Sequence, residues 1–156
     1  MRALLQRVSR AQVRVDGHPV GEIDRGLLVF LGVAPSDDEW VASGMAAKVA
    51  GLRIFADAEG LTNLSLGEVE GAALVVSQFT LYADTRRGRR PSFVGAAGPV
   101  VGERLYEVFC ELLAYTGVPV RHGIFGAHME VDLVNDGPFT VWLDSAELGI
   151  EPHPSE

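Results

Sequence analysis

Hydrophobic and polar residues alternate near the start of the chain, which is the pattern of a half-buried strand. In "AQVRVDG", Val13 and Val15 share one face, while the residues between and beside them are polar. The segments "HPVGEID" and "GLLVFLGV" follow after short Gly-containing turns, and the second of them is an apolar run typical of a buried strand. The first part of the chain therefore predicts two or three strands.

Two longer stretches have apolar residues at helical spacing. The first, "APSDDEWVASGMAAKVAGLRIF", offers Ser36 or Asp37 as an N-cap and has acidic residues in its first turn, which favour a helix N-terminus. The second, "GPVVGERLYEVFCELLAYTG", has Gly117 as a C-cap. Apolar residues share one face of each predicted helix: Trp40, Val41, Met45, Val49 and Leu52 in the first, and Val101, Leu105, Val108, Phe109 and Leu112 in the second.

Three further stretches predict strands: "EGAALVVSQFTL" between the helices, and "VPVRHGIF" and "HMEVDLVNDGPFTVWLD" after them. The order ββ(β)-α-β-α-ββ lacks regular βαβ alternation. It therefore predicts an α+β fold in which a mostly antiparallel or mixed sheet carries two main helices on one side. Residues 1–144 are predicted to form a single domain, and residues 145–156 a polar C-terminal extension that frays.

The segment "NDGPFT" interrupts the last predicted strand. Pro138 has no N–H group for a sheet ladder and Gly137 weakens a strand interior, so a break or turn is expected here. One interpretation is a cis Gly-Pro bond that turns backbone carbonyls into a pocket. The other is an edge-strand bulge with a trans proline, and the residues alone leave both open.

Composition narrows the classes of function. A chain of 156 residues with 47% hydrophobic and 22% charged residues is large enough for one packed core. No apolar run approaches the ~18 to 20 residues that span a bilayer, and arginines occupy the positions where a signal peptide is apolar. We therefore expect a cytoplasmic protein with no membrane partner. Cys110, the one cysteine, lies among apolar helix residues and is expected to pack rather than react.

Charge is unevenly distributed along the chain. A net charge of -8 opposes nonspecific coating of nucleic acid, because an acidic surface repels the phosphate backbone. Four arginines nevertheless cluster in "TRRGRRP": Arg86, Arg87, Arg89 and Arg90. This cluster is either a solvated loop or a focused patch for an anionic partner.

The polar end of the strand in "VVSQFTL" carries the first candidate chemistry. Ser77, Gln78 and Thr80 can supply a nucleophile or hydrogen-bond donors, and the following N–H groups can point at an oxyanion. The alternative is a turn in which Ser and Thr bond to their own backbone. No base is recognisable in the sequence, and the GxSxG motif is absent. His122 and His128 match no metal-site spacing, so surface positions are expected for them.

Two long motifs, "SQFTLYADTRRGRRPSF" and "NDGPFT", closely resemble the signature motifs of the D-aminoacyl-tRNA deacylase family. "RVSRAQVRVDG" and "GLLVFLGV" look like further family blocks, and the resemblance covers about residues 1 to 144. It implies a barrel-like fold and a homodimer with active sites at the subunit interface. The implied activity is hydrolysis of the ester between a D-amino acid and tRNA, with no cofactor and no metal.

The resemblance also assigns chiral selection. In this family the Gly-Pro bond is cis and enters the partner subunit's pocket. The carbonyls of Gly137 and Pro138 would then crowd the position of an L side chain, which is selectivity by exclusion. Asn135 and Thr140 belong to the same selection site, and Arg7 is expected to hold the loop carbonyls by charge-assisted hydrogen bonds. Glycine has no side chain to exclude, so glycyl-tRNA is also an expected substrate.

Catalysis is assigned by the same resemblance to Ser77, Gln78, Phe79 and Thr80. The main-chain N–H groups of Phe79 and Thr80 are the expected oxyanion donors. An aminoacyl ester is already activated, so orienting it and admitting a water can suffice. Thr80 is therefore expected to support the substrate rather than attack it, because no base for it is visible.

The remaining assignments concern the RNA. The resemblance implies that Phe125 and Met129 form the apolar wall for the terminal adenosine, and that the four clustered arginines meet phosphates of the acceptor stem. Two other functions stay open. One is a nucleic-acid-binding module without chemistry, and the other is a relative that edits L-alanyl or other mischarged tRNA through a differently shaped Gly-Pro turn.

Overall fold

The computed structural model describes residues 1–154 and has the predicted α+β architecture. The two helices are α1 (Glu39–Gly51) and α2 (Pro99–Tyr115), and a short 3-10 helix spans Phe79–Tyr82. The strands are β1 (Arg2–Val15), β2 (His18–Ile23), β3 (Gly26–Gly32), β4 (Phe55–Ala56), β5 (Thr62–Leu64), β6 (Ala72–Ser77), β7 (Val120–His122) and β8 (Glu130–Asp144).

Six of the strands form one mixed sheet. Its order is β2-β1-β3-β6-β7, and β8 pairs with β1 on the other edge of that strand. The pairs that involve β1 are antiparallel, whereas β3 with β6 and β6 with β7 are parallel. The sheet curls until β2 meets β7, where a Cβ at Gly21 would lie 2.7 Å from the carbonyl oxygen of His122. The prediction of a mixed, barrel-like sheet with two helices is confirmed.

Period-two alternation divides the core into two layers. On β3, Leu27 and Val29 face the helices, where they join the larger cluster with residues of α1 and α2. Leu28, between them, faces the barrel interior and packs with Val8 and Val13. Successive strand residues point to opposite faces of a sheet, so one strand supplies both layers. Packing on both faces of β3 explains why its sequence is a continuous apolar run.

Helix α1 begins one residue later than the predicted N-caps allow. Its N-cap is Asp38, whose Oδ1 accepts a hydrogen bond from the Val41 N–H at 2.9 Å, a bond that holds the Asp38 pKa below its ordinary value. Asp37 accepts instead from the Ala34 N–H at 2.7 Å and from the Met1 amino group at 2.7 Å. The prediction of Ser36 or Asp37 is wrong because the Asp37 carboxylate already closes the preceding turn.

The buried face of helix α2 differs slightly from the predicted one. Val101 is exposed, and the buried stripe runs through Leu105, Tyr106, Phe109, Cys110 and Leu113. The C-cap is Thr116, and the predicted Gly117 lies one residue beyond it, with a φ of 95° in the left-handed region that suits glycine at the end of a helix.

Two further features differ from the predictions. The strands β4 and β5 form a small antiparallel pair in a stretch where no strand was predicted. The C-terminal segment also makes contacts with α1 that were not predicted. Ile150 fills the gap above Gly44, and the His153 N–H donates to Asp38 Oδ2 at 2.8 Å. The predicted polar extension covers residues 145–156, of which residues 155–156 lie outside the described part of the chain.

Candidate active site

The polar end of β6 turns directly into the 3-10 helix. Ser77 pairs with Leu31 on β3, and the Gln78 N–H donates to the Leu31 carbonyl at 2.8 Å, which prolongs the parallel pairing by one residue. The chain then bends, because the Leu81 N–H donates back to the Gln78 carbonyl at 3.2 Å. The first N–H groups of a helix have no acceptor within it. Here they belong to Phe79 and Thr80, which leaves two neighbouring donors for an oxyanion.

A cavity of about 560 Å³ adjoins this turn. Ser77, Gln78 and Phe79 line it together with Phe125 and Met129. The structure therefore brings three of the predicted catalytic residues together with both predicted adenosine-pocket residues. Its lining combines polar groups from the end of β6 with apolar and aromatic side chains, an arrangement typical of a small-molecule site.

The prediction did not single out two aromatic residues of this cavity. Phe93 contacts Phe79 edge to face, with ring centroids 5.0 Å apart. Tyr106 is buried on α2 and donates its hydroxyl proton to the Val75 carbonyl at 2.7 Å. Burial raises the pKa of Tyr106, so the hydroxyl stays a neutral donor. Phe93 ends the first motif and Tyr106 lies on the apolar side of a helix, but nothing in their spacing indicates a site.

The Thr80 hydroxyl is held by its neighbour. It accepts a hydrogen bond from the Gln78 side-chain amide, and no hydrogen bond within residues 1–154 joins it to a histidine or a carboxylate. His128 also lines the cavity, without a hydrogen bond to Thr80 in that part of the chain. A hydroxyl that lacks a base is poorly activated as a nucleophile.

The segment "NDGPFT" is a bulge between β8 and β1. Gln6 pairs with Thr140 and Val8 pairs with Asn135, so only one residue of β1 faces residues 136–139 of β8. The Gly137-Pro138 bond is cis. The Asn135 side chain closes the bulge, because its Oδ1 accepts from the Phe139 N–H at 3.0 Å and its Nδ2 donates to Thr140 Oγ1 at 3.0 Å.

Arg7 is the residue of β1 that faces the bulge. Its Nε donates to the Asp136 carbonyl at 3.0 Å, and one terminal nitrogen donates to the Ile54 carbonyl at 2.8 Å. The guanidinium carbon lies 4.6 Å from the centre of the Phe139 ring. Arg7 therefore contacts the bulge on both sides of the Gly-Pro pair and connects it to the segment that precedes β4.

Within one chain the two motifs do not meet. The bulge is on β8, and β1 and β3 separate it from β6. Three strand spacings of ~4.8 Å correspond to about 14 Å of sheet. Gly137 and Pro138 are also absent from the residues that line the cavity.

The arginine cluster lies in an exposed loop, residues 84–92, which we call the arginine loop. Asp84 and Ser92 exchange two backbone hydrogen bonds, of 2.7 and 2.9 Å, at its base, and Gly88 near its tip has a φ of 68°. Asp84 binds the Arg86 guanidinium through both carboxylate oxygens, at 2.9 and 2.7 Å, and this lowers the pKa of Asp84 to about 2. Arg86 is thus engaged by a carboxylate, whereas within residues 1–154 the other three members form no ion pair: Arg87, Arg89 and Arg90.

Cys110 is buried, which raises its pKa to about 12, and its expected packing role is confirmed. Within residues 1–154, no group of three or more His, Cys, Asp or Glu side chains is placed to hold a metal ion. No helix in the same range has the length and apolar character needed to cross a membrane.

Fold and site together define a class of α+β protein in which a cavity adjoins the polar end of one strand of a barrel-like sheet. The family model described as D-Tyr-tRNA(Tyr) deacylase matches residues 4–144. The chain belongs to this family.

Curated relatives match almost the whole chain. The D-aminoacyl-tRNA deacylase of Thermomicrobium roseum is 60% identical over 95% of this chain and 96% of its own. That of Thermotoga petrophila is 57% identical over 95% of this chain and 99% of its own.

Two solved structures share the fold. The c-Myc DNA unwinding element binding protein has a TM-score of 0.88 at 38% identity and covers 93% of this chain and 99% of its own. A probable eukaryotic D-amino acid tRNA deacylase has a TM-score of 0.78 at 21% identity and covers 91% of this chain and 97% of its own.

Proposed function

We propose that this protein is a D-aminoacyl-tRNA deacylase, which hydrolyses the ester that joins a D-amino acid to tRNA and releases both. The observation that carries this function is the identity of 60% and 57% to proteins named for that activity, over 95% of the chain. An identity spread over the whole domain includes the scaffold as well as the motifs. The removal of wrongly charged D-amino acids is proofreading in translation.

Catalysis takes place at the end of β6. The N–H groups of Phe79 and Thr80 bind the oxygen that becomes negative when water attacks the ester carbonyl. The ester C–O bond then breaks, the ribose hydroxyl leaves with a proton, and the free amino acid departs. Ser77 and Gln78 orient the substrate, and the Gln78 amide holds Thr80 in a supporting role. Removal of one such main-chain donor typically slows an enzyme by about 100- to 1,000-fold.

Chiral selection comes from the bulge on β8. The carbonyls of Gly137 and Pro138 occupy the space that an L side chain needs, while a D side chain points elsewhere. Asn135, Thr140 and Arg7 fix the position of these carbonyls through the hydrogen bonds that close the bulge. Glycyl-tRNA is a second substrate, because glycine presents no side chain to exclude.

The bulge acts in a second copy of the chain. It lies about three strand spacings from the cavity of its own chain, so it reaches a cavity only across a subunit interface. Strand β8 offers that interface, because within residues 1–154 it pairs on one edge only and exposes Val134 and Trp142. A long unpaired edge with apolar side chains favours association. Light scattering should give a two-subunit mass, and a monomer with full activity would refute this arrangement.

The RNA is bound at two places. Phe125 and Met129 form the apolar wall against the terminal adenosine, inside the cavity. The arginine loop binds backbone phosphates of the acceptor stem, and such contacts position the RNA without reading its sequence. The direct contacts come from Arg87, Arg89 and Arg90, whereas Arg86 pairs with Asp84 and stabilises the shape of the loop.

A nucleic-acid-binding module without chemistry is the second candidate, because one solved relative at 38% identity is named for binding a DNA unwinding element. Incubation with D-tyrosyl-tRNA separates the two functions. The deacylase releases D-tyrosine, whereas a module retains the RNA on a filter with the ester intact. Parallel incubation with L-alanyl-tRNA tests an editing enzyme for L-amino acids, which would release alanine.

A further inference from the structure

The register of the sheet places Arg2 where four elements converge. Arg2 pairs with Gly32 on β3 and with Asp144 on β8. Its Nε donates to Asp144 Oδ2 at 2.8 Å, and one terminal nitrogen donates to the Leu81 carbonyl at 3.0 Å. Leu81 belongs to the Phe79–Tyr82 helix, so this arginine connects β1 and β8 directly to the proposed oxyanion turn.

Aromatic rings add a second set of contacts. The guanidinium carbon of Arg2 lies 4.5 Å from the centre of the Tyr82 ring and 5.5 Å from the centre of the Trp142 ring. Burial raises the pKa of Tyr82, so its ring is neutral and its electron-rich face attracts the cation. Arg2 therefore holds the 3-10 helix by both a carbonyl and a ring.

Gly32 seats the same helix from β3. A Cβ at this position would lie 3.1 Å from the Gln78 carbonyl oxygen and 3.2 Å from side-chain atoms of both Leu81 and Tyr82. The helix can approach β3 closely because glycine leaves that space open. Gly32 and Arg2 face each other across the β1–β3 pair, so the helix packs against β3 at Gly32 and is bound through its last residues by Arg2.

We propose that Arg2, oriented by Asp144, is a positioning residue that fixes the oxyanion-donor turn for ester hydrolysis. The inference rests on the proposed function, which assigns the oxyanion to the N–H groups of Phe79 and Thr80. These donors are main-chain groups, so their positions depend on the contacts that hold the backbone of the whole turn. Arg2 makes such contacts at Leu81 and Tyr82, one to three residues further along the chain.

The test compares Arg2→Ala with Arg14→Ala. Both arginines are on β1, their side chains are 32% and 31% exposed, and both form ion pairs with acids on β8, but the Arg14 pairs are with Glu130 and Asp132. Arg2→Ala should lower the kcat for hydrolysis of D-tyrosyl-tRNA by roughly 10- to 100-fold. A loss of this size is expected when reacting groups shift by a fraction of an ångström to 1 Å. The Kd for the RNA should stay within about twofold for both variants, and Arg14→Ala should keep wild-type kcat.

Chemical rescue separates positioning from general stability. Ethylguanidinium added to Arg2→Ala should restore part of kcat, because it can refill the site between Asp144 and Leu81, and it should leave Arg14→Ala unchanged. Unchanged kcat in Arg2→Ala would overturn the proposal. A parallel loss of kcat, RNA affinity and melting temperature without rescue would also overturn it, because that combination indicates a purely structural arginine.

Amide hydrogen exchange tests whether Arg2 fixes the turn, independently of the proposed function. The Leu81 and Ala83 N–H groups donate to the Gln78 and Thr80 carbonyls within the turn, at 3.2 and 3.0 Å. Arg2→Ala should speed their hydrogen exchange several-fold relative to Arg14→Ala, because the turn opens more often. If wild-type protein fails to hydrolyse D-tyrosyl-tRNA, the proposed function falls, while this exchange difference still decides whether Arg2 fixes the turn. Equal exchange in the two variants overturns the proposal.

Discussion

Arg7 offers the sharpest single perturbation of chiral selection. Replacing it with alanine removes the hydrogen bond to the Asp136 carbonyl and the contact with the Phe139 ring, on either side of the Gly-Pro pair. The Arg7 side chain is only 16% exposed, although the Asp136 residue that it binds lies at the surface. The bulge should then move away from the position in which its carbonyls exclude an L side chain.

The structure sets the size of the effect. A hydrogen bond from a charged donor contributes about 1.5 to 3 kcal/mol, and a cation–π contact at a partly exposed site contributes about 0.5 to 1 kcal/mol. Together they hold the bulge with roughly 2 to 4 kcal/mol. At 1.36 kcal/mol per factor of ten, the ratio of D- to L-tyrosyl-tRNA hydrolysis should fall by about 30- to 1,000-fold.

The assay measures kcat/KM for both chiral substrates at a temperature where each variant is folded. Arg10→Ala is the matched control on the same strand, because the Arg10 side chain is 59% exposed and its ion pair with Asp132 spans 3.7 Å. Such exposed pairs contribute less than ~1 kcal/mol, so this control should keep the wild-type ratio. A ratio within about threefold of wild type in Arg7→Ala would refute the role of Arg7 in selection.

Three further predictions test other parts of the protein. Thr80→Ala should retain kcat within about tenfold, because the one side-chain hydrogen bond of its hydroxyl within residues 1–154 is the bond that it accepts from the Gln78 amide. A complete loss, with a trapped acyl-enzyme in the wild type, would make Thr80 the nucleophile. Replacing both Arg87 and Arg89 with alanine should reduce the slope of log Kd for tRNA against the logarithm of the salt concentration by about 1.4 to 1.8. An unchanged slope would show that the arginine loop does not bind RNA. Asp38→Ala should lower the free energy of unfolding at pH 7 by about 1 kcal/mol in urea titrations. Because the folded pKa of Asp38 is lowered, its contribution is present above the unfolded pKa and is lost as pH falls through the folded pKa. The difference from wild type should therefore narrow below about pH 4, and a constant difference would contradict the capping role.

Local pattern was enough to predict the elements that are long and periodic. Val13 and Val15 alternate with polar neighbours on β1, and the residues of α2 recur at helical spacing, as both elements require. The pair β4–β5 escaped prediction because its strands have only two and three residues, too few for a period to appear. The N-cap of α1 depended on which of two adjacent aspartates the preceding turn had already engaged.

The candidate site could also be predicted from the sequence only in part. Ser77 and Gln78 could be singled out from the polar end of a predicted strand, whereas Phe79, Phe125 and Met129 were assigned through resemblance to a family. Their meeting in one cavity depends on the parallel pairing of β6 with β7, which are separated in sequence by all of α2. The separation of the Gly-Pro bulge from that cavity depends on strand order, which no local pattern encodes.

In the proposed mechanism, the Gly-Pro bulge excludes L side chains from a catalytic cavity. A Cβ at Gly137, where φ is 142°, would lie 2.9 Å from the Phe139 nitrogen and 3.2 Å from a terminal nitrogen of Arg7, so Gly137→Val must displace the bulge. The most direct measurement is the hydrolysis of D- and L-tyrosyl-tRNA, side by side, by the wild type and by this variant.

The wild type should cleave the D ester and leave the L ester intact, and Gly137→Val should cleave both, with a ratio at least about tenfold lower. Cleavage of both esters by the wild type would show that the bulge does not select against L-amino acids. So would a folded Gly137→Val protein that still cleaves the D ester alone.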